Sequence, residues 1–130
     1  MKTTMPIQYT IDTECGVIEE TWNGSITIRD LSEYWSRYLS DPDVLGLRRT
    51  VVDLREADIA FTGAQLEMLV QSMVIPALNG MAWTTAIVVS EPVQFGVGRQ
   101  YQVFAQRYSR DSIFDDMGKA KAWLIEQRDH

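Results

Sequence analysis

Apolar and polar residues alternate from Ile7 to Ile11, and strand-forming residues dominate again from Val17 to Trp22, with Cys15-Gly16 between the two runs. This pattern predicts a β-hairpin. Thr27 followed by Asp30 makes a capping-box start, with Asp in place of Glu, and Leu31, Tyr34, Trp35, Tyr38 and Leu39 recur at helical spacing up to the Asp41-Pro42 turn. Thr50 to Leu54 is a short β-branched run bounded by charges, the pattern of a central strand covered on both faces. A second helix, capped by Thr62, carries Leu66, Leu69, Val70, Met73 and Ala77 on one face. Ala86 to Val89 reads as another buried strand, and Pro92 opens a third helix with Val93, Val97, Tyr101, Phe104 and Tyr108 at steps of three or four. An extended piece, Ser112 to Phe114, precedes a last helix begun by Asp115 or Asp116, with Met117, Ala120, Lys121 and Leu124 along one side and Trp123 beside them.

This order predicts an α/β fold: a mixed, mostly parallel sheet with an N-terminal β-hairpin and four helices, joined by right-handed crossovers. A length of 130 residues suits one domain spanning 1–130, able to bury a core without metal or disulfide staples. A net charge of -6 repels phosphate backbones at long range, so nucleic acid is not expected as a partner. Cys15 stands alone, and Met1 to Met5 lack the basic and then apolar pattern of a secretion signal, so the cytoplasm is the expected compartment. No charge lies between Glu67 and Glu91. Gln71, Pro76, Asn79 and Gly80 interrupt that stretch, which therefore reads as a helix followed by a strand and not as a membrane span.

The chemistry of catalysis is thin. The one histidine, His130, is the last residue, which removes the commonest general base and metal ligand from any fixed scaffold. Zinc needs more Cys and His ligands than the chain has, and Gly96 and Gly98 fall inside a helical pattern where a phosphate loop would not be. Asp12 and Glu14 raise the pKa of Cys15, which marks it as a turn residue. Asp53, Asp58 and Glu91 follow or flank apolar strands and form the one arrangement suited to a hard cation in a carboxylate enzyme. The competing reading has Asp53 bonding turn amides and Glu91 capping the third helix. The expectation is a chain that is not an enzyme, with no cofactor and no metal.

The second helix is more informative. Opposite its apolar stripe stand Met68, Ile75 and Leu78, with no charge after Glu67, where a sheet-covering helix ordinarily turns a polar face to water. The third helix is apolar over a wide arc and carries two internal glycines. An apolar cleft between these helices predicts Met68, Met73, Phe95 and Phe104 as contacts for a ligand tail and Arg99 as the partner of a carboxylate or phosphate head. The occupants such a surface admits are an apolar small molecule, a protein partner, a second copy of the chain, or a membrane touched peripherally.

Val51-Val52-Asp53-Leu54-Arg55, Ala86-Ile87-Val88-Val89, Phe95-Gly96-Val97-Gly98-Arg99 and Ala122-Trp123-Leu124, in this order of elements, resemble the SpoIIAA-like family of the STAS superfamily. The resemblance runs from about Tyr9 to Leu124 and implies a STAS/Sec14-like domain. It also implies uptake of apolar ligands, or membrane association through movable helices. STAS antagonists carry a phosphorylatable serine in an Asp-Ser-Ser-Gly-like motif after the central strand. Here that place reads Phe61-Thr62-Gly63-Ala64, so Thr62 is the candidate phospho-site of a protein-interaction switch, and the preceding aspartate is absent. The first expectation is a non-enzymatic binding or regulatory domain with its ligand between the second and third helices.

Overall fold

The computed structural model describes residues 5–127; His130 lies outside them. Strands β1 (Ile7–Asp12) and β2 (Val17–Thr27) pair antiparallel. Their turn is tied by the Asp12 carboxylate, which accepts from the backbone N–H groups of Glu14 and Cys15. Helix α1 (Ile28–Tyr38) follows, with the reciprocal Thr27/Asp30 capping box in place. A short helix, α2 (Pro42–Leu47), capped by Asp41, comes before β3 (Arg49–Ala60). The sequence pattern does not show α2, because six residues with one buried position, Val44, are too few to display a period.

The second helix of the sequence reading is a composite. It comprises α3 (Gly63–Leu69), a π-helical turn (Val70–Val74) and α4 (Ile75–Leu78). Strand β4 (Trp83–Val88), α5 (Pro92–Ala105), β5 (Ser109–Phe114) and α6 (Met117–Gln127) complete the chain. In the π turn the N–H of Ile75 bonds to the carbonyl of Val70, five residues back, immediately before Pro76, which has no N–H to give. Each π turn takes in one residue more than an α turn, so the residues beyond it rotate by about 100° relative to an unbroken α-helix. The buried positions accordingly fall in steps of four, at Leu66, Val70, Val74 and Leu78. Leu78, expected on the outer face, is fully buried, while Met68 is 68% exposed.

The five strands lie in the order β1-β2-β3-β4-β5, and every pair from β2 onward is parallel. This is the mixed, mostly parallel sheet with an N-terminal hairpin that the sequence predicts. A sheet that adds strands in one direction through crossovers of one hand places all of its crossover helices on one face. Helices α1, α3 and α5 cover that face, over Ile18, Trp22, Leu54, Trp83 and Ile87. The opposite face carries Val17, Val51, Ala86 and Val88 and is covered by Ala120 and Leu124 of α6. No described helix is long and apolar enough to cross a membrane.

Of the apolar row expected on α5 and just beyond it, Val97, Tyr101, Phe104 and Tyr108 pack against the main core, and Val93 does not. Val93 is 63% exposed, and the buried positions are Gln94, Gly98 and Ala105. Gln94 tolerates burial because its amide is satisfied at both ends. Its Nε2 donates to the carbonyls of Arg55 and Ala57 at 3.3 and 3.0 Å, and its Oε1 accepts from the N–H groups of Ser90 and Glu91 at 2.8 and 3.0 Å. A Cβ on Gly98 would come within 3.1 Å of Ile113 Cδ1, so the glycine lets α5 approach β4 and β5.

Candidate functional site

Alternation along the strands sends Glu20 and Trp22 of β2, Thr50, Val52 and Leu54 of β3, and Trp83, Thr85 and Ile87 of β4 to the face under α1, α3 and α5. The helices do not fill the space above them. A cavity of about 70 Å³ remains, roofed by Trp35, Tyr38 and Leu39 of α1, Leu66 of α3, Val74 of the π turn, and Val97, Gly98 and Tyr101 of α5. A site of roughly 10–15 Å³ on this measure admits one water, so the space suits several waters or a small organic group. Val52 retains accessible surface on the central strand because it faces this space. Five of the walls are aromatic: Trp22, Trp35, Tyr38, Trp83 and Tyr101.

Three polar residues interrupt the apolar floor, and all three are buried: Glu20, Thr50 and Thr85. Thr50 and Thr85 are register partners, and Glu20 pairs with Val52 one strand over, so they cross the sheet at nearly one level. The Thr50 hydroxyl accepts from Trp83 Nε1 at 3.2 Å and shares a 2.5 Å bond with the Tyr38 hydroxyl. The Glu20 carboxylate accepts from Trp22 Nε1 and from the Tyr34 hydroxyl, each at 2.7 Å. Burial dominates its titration and pushes its pKa up to about 7, with the two hydrogen bonds opposing the shift. Tyr34, Tyr38 and Tyr101 are themselves raised by burial, and the nearby Glu20 charge adds to each shift.

A second acid lies farther along the same side. Burial raises Asp111 to about 6, opposed by hydrogen bonds from the hydroxyls of Ser109 and Thr85.

The residues picked out from the sequence as ligand contacts lie elsewhere, and none of the five lines the cavity. Met68 points outward, and Phe95 is 50% exposed. Met73 and Phe104 are half-buried against the main core, with Met73 Sδ 3.8 Å from the Ser32 hydroxyl. Arg99 is exposed and borders an open depression together with Gln102, Gln106, Arg110 and Asp111. Thr62 is exposed as the cap of α3, its hydroxyl accepting from Gln65 N at 3.1 Å. Asp53 accepts from Arg55 N and forms a two-pronged pair with the Arg55 guanidinium at 3.0 Å, and Glu91 is the N-cap residue of α5. Among the described residues no three His, Cys, Asp or Glu converge as metal ligands. Beside Cys15, Asp12 raises the thiol pKa through a hydrogen bond and through its charge.

The sequence reading passes over Glu20. The signal was present: Ile18, Glu20 and Trp22 share one face of β2, so an acid sits in the middle of an apolar row.

Sheet order, the placement of the crossover helices and the hairpin define a SpoIIAA-like fold. A solved structure with this fold, an uncharacterized protein of the DUF3478 family from Shewanella loihica PV-4, is similar to the chain with a TM-score of 0.65 at 18% identity, covering 95% of this chain and 98% of that one. No protein-family model matches the chain, and no curated protein matches it.

Proposed function

We propose that this domain is a binding module that takes a small, largely apolar molecule into the cavity between the sheet and helices α1, α3 and α5. The observation that carries the reading is the cavity itself: about 70 Å³ inside an otherwise packed core, walled by five aromatic side chains, with a buried acid in its floor. Interiors of this size class are ordinarily close-packed, and unfilled volume forfeits dispersion contacts, so retained space over the centre of a sheet fits a ligand. A few polar groups among apolar walls is the usual composition of a small-molecule site. The role is binding or regulation and not catalysis. No described cysteine lies along the cavity, and Thr50 and Tyr38 spend their hydroxyls on one another. Native mass spectrometry of protein from its own host, before and after organic extraction, tests the reading, together with the cavity-filling variant Val97→Phe. The expected result is a small adduct that extraction removes and that Val97→Phe lacks while still unfolding cooperatively. A protein with no adduct, and no heat of binding to any member of a small-molecule panel, would overturn it.

A further inference from the structure

From the chemistry of the cavity floor we infer that its ligand is a compact organic cation, a protonated amine with a short apolar body, whose ammonium group sits on the Glu20 carboxylate. The inference rests on the binding reading above and names the class of molecule bound.

The hydrogen bonds around Glu20 present it as an acceptor. The Trp22 indole N–H can only donate, so the oxygen it meets at 2.7 Å must accept, and the Tyr34 hydroxyl reaches the other oxygen at the same distance. Each carboxylate oxygen keeps a second lone pair. What the site lacks is positive charge: among the described residues the ion pairs are Arg29–Glu33, Arg55–Asp53 and Lys121–Glu19, and none reaches Glu20. The groups around it are aromatic or hydroxyl-bearing: Trp22 on its own strand, its register partner Tyr9 on β1, Tyr34 and Tyr38 from α1, and Tyr101 from α5. A buried carboxylate is costly unless paired, and an entering ammonium supplies the missing partner. The aromatic walls reinforce this preference, because ring faces attract cations and do nothing for anions. A net charge of -6 further favours a positive ligand at long range.

The test uses three molecules with nearly the same branched body and different heads: isobutylammonium, isobutanol and isobutyrate, titrated calorimetrically into the whole chain at pH 8.5. The expected order is the cation about 10- to 100-fold tighter than the alcohol, the range of a charged hydrogen bond over a neutral one, and no binding of the anion. Binding the cation requires Glu20 to be ionised, so its affinity falls about tenfold per pH unit below the carboxyl's pKa of about 7. Glu20→Gln keeps the shape and removes the charge, and it brings the cation down to the affinity of the alcohol. Should that variant not fold, the pH dependence of the parent decides alone. Equal affinity for cation and alcohol, or a cation affinity flat between pH 5 and 8.5, would overturn the inference and leave the cavity as a binding site for neutral molecules. Binding of none of the three would remove both readings.

Discussion

The indole N–H of Trp22 donates to the carboxylate of Glu20, two residues back on the same face of β2, at 2.7 Å. A strand that places an acid and its donor on one buried face ties the ionisation of that acid to the stability of the whole sheet. Folding raises the Glu20 pKa from 4.5 to about 7, so between those values the folded chain holds a proton that the unfolded chain has released. Stability from this group is fully present below pH 4.5 and is lost as pH rises through about 7. The loss amounts to roughly 3 kcal/mol at about 1.4 kcal/mol per unit. Asp111, raised to about 6, contributes in the same direction. The difference between parent and Glu20→Gln isolates Glu20. At pH 8 the variant is expected to be more stable by about 2–3 kcal/mol in urea unfolding, and near pH 4 the gap is expected to close. A variant less stable than the parent at pH 8 would show that a positive charge holds the carboxylate.

The π turn makes a separable prediction about helix register. Met68 is 68% exposed but Leu78 is fully buried, although an uninterrupted helical repeat was expected to put both on one outer face. Leu78→Ala should cost about 2–5 kcal/mol through lost burial and a new void, while Met68→Ala should stay within about 0.5 kcal/mol. Equal effects of the two substitutions, read by chemical denaturation, would mean that the register is regular.

Thr62 holds α3 through the reciprocal bonds Gln65 N to Thr62 Oγ1 at 3.1 Å and Thr62 N to Gln65 Oε1 at 2.9 Å. Thr62→Ala is expected to lower stability by about 0.5–2 kcal/mol, and Thr62→Asp to cost less, because aspartate also caps and its charge suits a helix N-terminus. Thermal unfolding of the three proteins gives the order directly.

Arg48 ends α2 in the left-handed region, at φ 53°, and its buried Nε has no hydrogen-bond partner. Both features cost free energy, and glycine removes both. Arg48→Gly should raise stability by about 0.5–1 kcal/mol, visible as an upward shift of the melting temperature. A fall would show that the rest of the guanidinium contributes more than the strain costs.

Much of the fold was legible because periodicity survives where packing is regular. Leu31, Tyr34, Trp35 and Tyr38 keep one face of α1, and Thr27 and Thr62 cap the helices assigned to them. The strand halves Asn23 to Thr27 and Arg55 to Ala60 were not legible. They pair with each other beyond the reach of β4, whose partners on β3 end at Asp53, so they carry little apolar alternation. The candidate site was the least legible part. Its location depends on the π turn, which a fixed helical repeat cannot represent, and on three strands meeting in register. Glu20, Thr50 and Thr85 are 65 residues apart from first to last and become neighbours only in the sheet.

Three of the four tryptophans, Trp22, Trp35 and Trp83, stand in the cavity wall, and the fourth, Trp123, lies on α6 and packs against Phe114 on the opposite side of the sheet. The protein therefore carries its own optical reporter. Intrinsic indole emission comes mainly from rings that touch the cavity, and in Trp22 and Trp83 the indole N–H is bonded to Glu20 and Thr50, two of the three polar groups of its floor. Trp123 supplies an internal standard on the far side of the sheet, so a change confined to the cavity alters the spectrum against a steady background without any label.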